Sequence, residues 1–356
     1  MDGDGEAMNK FDEKYTIRFA EKADISSIMN FIEREWKSDH IFARNRDYLC
    51  YEHQFGDKVN YILAIDKATS NLEGILGFIE ASRSEEHKDI WGVMWKVREG
   101  KGNLPFLGIE LMKRLMAETK CRAEIGVGAN PKTSVPILKV MLGFHIDKMK
   151  HSYRLNGNTD EFKIAVINNK IILPVIPSVK QYRLQKFSSI DELTQHYDLE
   201  RNKDMIPYKD AWYIERRYFQ HPVYNYSVWG IQDKGQTTSA ILIGRGISIN
   251  NSKVLRIIDY IGDHSMLSGL YDEFGALLSS QGYEYIDFYY YGINEKHLTD
   301  AGFVLRDEND ENIIPNYFEP FVQKNIDIWV NSSVSDVVIC KGDGDQDRPS
   351  LVAGVS

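Results

Sequence analysis

Apolar and polar residues alternate over 15–20, the period of a half-buried strand. The period then changes. Ile25, Ile28, Met29 and Ile32 recur at helical spacing behind Asp24, a good N-cap. Strands follow at 61–65 and 74–81, with a polar turn at 67–71 between them. The run DIWGVMWKV predicts a strand over 89–97, and a Gly/Lys/Asn/Pro loop leads from it into an amphipathic helix over 107–119. A strand at 122–127 and a short helix at 133–141 come next, the helix stopping at Gly143. Residues 144–155 return as one or two strands. The order β-α-β-β-β-α-β-α-β predicts a mixed sheet with helices on both faces.

The pattern then starts again. Pro174 and Pro177 mark a junction. Beyond it come a strand at 182–187, a helix opening at Ser189, and strands at 224–231, 239–245 and 253–260. A helix at 265–280, a strand at 283–290 and a helix at 295–301 ending at Gly302 complete the set. Leu142-Gly143-Phe144 is echoed by Ala301-Gly302-Phe303, and Asn60-Tyr61 by Asn225-Tyr226, at nearly equal offsets. Equal element order at equal spacing is the signature of a duplicated fold. The chain therefore divides into a disordered leader over 1–14, a first domain over 15–156, a junction over 157–180, a second domain over 181–330 and a flexible tail over 331–356. The 356 residues suit two domains.

Composition narrows the partners. The net charge is −9, and no basic block runs along the chain, so a nucleic-acid partner is not expected. No stretch of about 18 apolar residues is present, so no membrane insertion is expected. Cys50, Cys121 and Cys340 are odd in number and far apart, which fits a reducing, cytoplasmic setting and offers no zinc pattern. Asp343, Asp345 and Asp347 imitate the start of a calcium loop, but Arg348 and Gly354 stand where that loop needs Gly and Glu. No metal is expected. A small molecule is the expected partner, and a homodimer is compatible with the sequence.

The stretch 97–144 resembles the central part of the GNAT superfamily of N-acetyltransferases. In that family a strand leads into a loop of pattern Q/R-x-x-G-x-G/A that opens a helix, and the loop amides bind the pyrophosphate of acetyl-CoA. Free amides and the positive helix end both favour phosphate. Here the segment is Asn103-Leu104-Pro105-Phe106-Leu107-Gly108, where Gly108 keeps the family residue and Phe106 replaces the first glycine. The family's later Asn and its Gly-Phe helix ending are matched by Asn130 and Gly143-Phe144, while Lys139 and Leu298 stand at the position of the usual tyrosine acid in the two halves. Most of the chain is also similar to two-domain GNAT-like proteins of bacterial surface-polysaccharide gene clusters, through His151-Ser152-Tyr153-Arg154-Leu155-Asn156, Ile314 to Pro320 and Gly342 to Pro349.

The resemblance implies an α/β chain of two tandem GNAT-like acyl-CoA N-acyltransferase folds, with acetyl-CoA or another acyl-CoA as cosubstrate. It implies a small amine acceptor, an amino sugar or sugar nucleotide of polysaccharide biosynthesis. Trp95, Val97, Asn103, Leu107, Gly108 and Asn130 are the residues it places around acyl-CoA. Acyl transfer to an amine also needs a base for the ammonium. Glu80 and Glu124, on strands facing the expected cleft, are the candidates, His53 and His151 are also possible, and Tyr153 stands as proton donor or acceptor-site hydroxyl. The second half has Ile261-Gly262-Asp263-His264-Ser265 in place of a phosphate loop, so activity is expected in the first half. The alternative is a catalytically inactive GNAT-like binding or scaffold protein in a polysaccharide biosynthetic complex.

Overall fold

The computed structural model describes residues 9–350, with 101 and 178 excepted. Strands β1 (Tyr15–Glu21), β2 (Lys58–Asp66), β3 (Leu72–Glu80) and β4 (Asp89–Val97) are successive antiparallel neighbours. β5 (Ala123–Val127) lies parallel to β4, and β6 (His145–Lys148) forms the far edge. The middle strands read as continuous apolar runs because both their faces are covered. Helix α1 (Ile25–Glu35) supplies Ile25, Ile28 and Ile32 to the cluster holding Tyr61 and Leu63. Helix α2 (Leu107–Thr119) supplies Leu107, Leu111 and Leu115 to the other face, with Ile62 and Ala64. Helix α3 (Ser134–Leu142) ends on Gly143, whose φ of 69° is the left-handed turn glycine adopts without cost.

After β6 the chain crosses at Met149, a buried residue whose amide donates to Ile328 O at 2.8 Å. It enters the second sheet as β7 (Lys150–Leu155). That sheet also contains β8 (Arg183–Phe187), β9 (Ser227–Gln232), β10 (Thr238–Ile249), β11 (Ser252–Gly262), β12 (Tyr285–Tyr291) and β13 (Val304–Leu305). Its order is β8-β9-β10-β11-β12-β7-β13, with only the β11–β12 pair parallel. The debt is returned by β14 (Trp329–Ser332), which lies between β5 and β6 in the first sheet. The first order is therefore β1-β2-β3-β4-β5-β14-β6, the same sequence of parallel and antiparallel steps. Each half lends the other one interior strand. One apolar cluster runs across both, from Ile28 and Trp91 to Tyr213, Tyr218 and Ile258.

Three expectations are corrected. The leader was expected to run through residue 14, but Lys10–Lys14 is a short helix capped by Asn9, with Phe11 buried; its first eight residues lie outside the described ones. The tail was expected to be flexible from residue 331. Instead β14 is interior, β15 (Ile339–Cys340) pairs with β12, and Asp343 and Asp347 are buried. Asp-Gly-rich composition reads as a solvated loop, yet here each buried aspartate meets a buried cation. Residues 351–356 lie outside the described ones. Likewise 150–155, read as part of the first domain, pairs within the second sheet.

Candidate active site

The parallel pair β4–β5 is short. Asp89, Ile90 and Trp91 face Ala123, Glu124 and Ile125, and then the strands part. Two local features drive them apart. The register of β4 on β3 shifts beside Met94, which sits at a φ of 52°. At its far end β5 breaks at Gly128, with a φ of 84°. The wedge between them is a cavity of about 280 Å³. Trp95 and Met112 line one side, Asn130 another, and Asp345, Gln346 and Arg348 close it from the chain's end.

Glu124 lies at the root of this wedge. Its carboxyl is buried, and burial pushes its pKa up to about 8; the Gly92 amide, which donates to it, opposes the rise. Its Oε2 has no hydrogen-bond partner among the described residues. The returned strand holds its backbone in place: Glu124 N donates to Ser333 Oγ at 3.0 Å, and Ser333 N donates to Glu124 O at 2.9 Å. A fixed, dry carboxyl with one free oxygen on a cavity is arranged to accept a proton.

The residues expected around acyl-CoA divide into two groups. Trp95 and Asn130 line the cavity. Asn130 also starts α3, its carbonyl accepting from Ser134 N and Val135 N at 3.0 and 3.1 Å. Trp95 Nε1 donates to Gly108 O at 3.0 Å, and a Cβ on Gly108 would lie 3.3 Å from the indole ring carbons. Gly108 thus seats the indole against the first turn of α2. The others form the supporting wall. Leu107 is buried in the α2 core, and Val97 pairs with Gly74. Asn103 accepts from Tyr15 OH at 2.9 Å and donates to Glu73 and to Arg98 O, each at 3.1 Å, which ties the loop to the sheet.

Glu80 and Tyr153 are placed elsewhere. Glu80 accepts from Arg83 at 2.8 Å beside Trp212 and Arg216, and burial raises its pKa. Tyr153 is fully buried on the exchanged strand β7, where it donates to Asp310 at 2.8 Å and accepts from Asn312 at 2.9 Å. Of the expected proton-transfer groups, Glu124 is the one that lines the wedge. Sequence reasoning missed Asp345, Gln346 and Arg348. The only signal for them was the Gly342-to-Pro349 motif, for which no mechanism could be written.

The second sheet repeats the wedge and fills it. β11 and β12 pair over Leu255–Ile286, Arg256–Asp287 and Ile257–Phe288, and the register of β11 on β10 shifts beside Ile258. Into this gap runs β15. Cys340 and Ile339 pair with Tyr290 and Tyr291, and Gly342 N donates to Ile258 O at 2.7 Å. Buried charges fasten the insert: Lys209 Nζ lies 2.6 Å from both Asp259 and Asp343, and Tyr218 OH donates to Asp259 at 2.7 Å. The chain's own end occupies the place that is open in the first sheet.

Among the described residues, no group of three or more His, Cys, Asp or Glu side chains is placed to hold a metal. No helix among them is long and apolar enough to cross a membrane.

No family model and no curated protein matches the sequence. Solved structures do match in fold. A GCN5-related N-acetyltransferase from Anabaena variabilis is similar at a TM-score of 0.54 and 10% identity, over 89% of this chain and 72% of that one. A conserved Enterococcus faecalis protein described as a probable N-acyltransferase is similar at a TM-score of 0.51 and 9% identity, over 89% and 72%. The chain is a mixed α/β fold with two large mixed sheets, and its likeness to these structures is one of fold.

Proposed function

We propose that the chain is an acyl-CoA-dependent N-acyltransferase with one working cleft, the wedge between β4 and β5. The observation that carries this is the pairing of an open wedge with the unpartnered Oε2 of Glu124 at its root. An extended pantetheine arm needs a strand edge with free backbone groups, and β4 beyond Trp91 has no partner strand on that side among the described residues. Trp95, Met112 and Asn130 would flank the arm, and the first turn of α2 offers free amides for the pyrophosphate. Acyl-CoA supplies the acyl group and a thiolate leaving group.

The chain's own work is to make the acceptor nucleophilic. An alkylammonium has a pKa near 10, as the lysine ammonium does (~10.4). An ordinary carboxylate is a poor base for it, but Glu124, raised to about 8, is better matched. Glu124 takes one ammonium proton on Oε2, the neutral amine attacks the carbonyl carbon, the C–S bond breaks, and the departing thiolate takes up the second nitrogen proton. The proton then leaves by the wedge. The occupied wedge of the second sheet supports activity in the first half alone. The acceptor proposed from the resemblance is a small amine of the amino-sugar class.

A scaffold reading is favoured by Phe106, Lys139 and Leu298, which replace the family's loop glycine and acid tyrosines. Thiol release from acetyl-CoA with an amine panel separates the two. Turnover lost in Glu124→Gln supports the enzyme. Binding of acetyl-CoA without turnover of any amine supports the scaffold.

A further inference from the structure

A second chamber adjoins the wedge. It has a volume of about 160 Å³ and shares Asp345, Gln346 and Arg348 with the first. Its walls come from 316–319 and 341–350, which overlap the motifs Ile314 to Pro320 and Gly342 to Pro349, together with Tyr224, Arg245 and Arg256.

The charges around it are mostly spoken for. Arg245 pairs with Asp347 at 2.5 Å, Arg256 with Asp287 at 2.7 Å, and Arg348 with Asp345. At the rim Glu319 accepts from Tyr224 OH at 3.1 Å and Ser350 N at 3.3 Å. Two side chains keep unused donor capacity. Lys341 is 3% exposed and makes no ion pair among the described residues; its ammonium donates to Gln346 O at 3.1 Å. Burial, with Arg256 close by, lowers its pKa to about 7. Asn316 is 4% exposed, and its Nδ2 has no hydrogen-bond partner among the described residues. A buried donor without an acceptor is costly, more so when charged. Lys341, with one of its three N–H donors used and no carboxylate paired with it, and the unpartnered Asn316 amide line one chamber and mark the place of an acceptor group that the chain does not provide.

The chamber selects among anions. Asp345, Asp347 and Glu319 also line it, so a phosphate dianion would meet strong repulsion. A carboxylate carries one charge and two acceptor oxygens, one for each free donor. We propose that Lys341 and Asn316 hold a carboxylate of the acceptor, so that the amine acylated beside Glu124 belongs to a molecule that is also a carboxylic acid. Amino acids and amino-sugar acids fall in this class. The inference rests on the reading of the wedge as an acyltransferase site, and its test must tell the two apart.

The probes are ω-amino acids from glycine to 6-aminohexanoate, each set against the n-alkylamine of matching length, with acetyl-CoA as donor. The expected result is a kcat/KM at least tenfold higher for one or more amino acids. Lys341→Met should erase that preference while acetyl-CoA affinity, measured by calorimetry, stays unchanged. Asn316→Asp is nearly isosteric, adds a repelling charge, and should raise KM for the amino acid by a larger factor than KM for the matching alkylamine. Equal turnover of both series, with acetyl-CoA binding intact, overturns the carboxylate site and spares the wedge. Absence of acetyl-CoA binding overturns the wedge instead. The chamber is then decided by labelling Lys341 with acetic anhydride and reading it by mass spectrometry. Protection by an amino acid and not by its alkylamine sustains the carboxylate site, and no protection by any member of the series ends it.

Discussion

A Cβ on Gly92 would lie 2.2 Å from Oε1 of Glu124. The carboxyl therefore lies against the bare backbone of Gly92 on the neighbouring strand, and its Oε2 is buried without a partner among the described residues. Gly92→Ala forces the carboxyl aside. It should cost about 1–3 kcal/mol in stability through overpacking. Acyl transfer should fall more than tenfold with acetyl-CoA affinity preserved. Chemical denaturation and steady-state kinetics on the same preparation check both.

Glu124→Gln removes the base and keeps the shape. The rate of acyl transfer should drop by roughly 10²–10⁴. The wild-type rate should rise with pH through an inflection near 8, and the variant should lack that limb. Stability carries the same signature with its sign fixed by linkage. The folded pKa of Glu124 lies above the ordinary glutamate value of about 4.5, so the fold favours the neutral acid. Its contribution is fully present below about 4.5 and is lost as pH rises through about 8. Wild-type stability should decline across this window, and Glu124→Gln should be flatter and the more stable of the two at pH 9. Urea unfolding at a series of pH values measures the difference.

Much of this was legible in the chain. The helix Leu107–Thr119 and the strand Asp89–Val97 are found where periodicity puts them, because each has an amphipathic or doubly covered pattern that no other element could satisfy. The landmark Gly143 closes its helix as expected. The strand exchange was not legible. Alternation along Lys150–Leu155 reports that one face is buried, and says nothing about which sheet buries it. The pattern admits a strand within 336–340, and Ile339–Cys340 is one, but its insertion into the second wedge was not legible. Buried aspartates look like loop aspartates until their partner, Lys209, is seen to be distant in sequence. Glu80 and Glu124 were equivalent as strand carboxylates. What separates them is a neighbour: Arg83 pairs with one, and Gly92 leaves an oxygen of the other free.

The fastening of the second wedge makes its own prediction. Lys209→Met leaves Asp259 and Asp343 buried without their cation. Breaking a buried pair in this way costs about 3–5 kcal/mol. The variant should melt well below wild type, with protection of the 337–343 amides lost first in hydrogen exchange. If the insert were only lodged at the surface, stability would hardly move.

The account rests on one open wedge and one filled one, and calorimetric titration of the folded protein with acetyl-CoA tests that most directly. It predicts saturable binding of one acetyl-CoA per chain, weakened when Gly108→Leu displaces Trp95 from the first turn of α2 and unchanged in Glu124→Gln. Binding of two per chain, or none to protein shown to be folded, would contradict it.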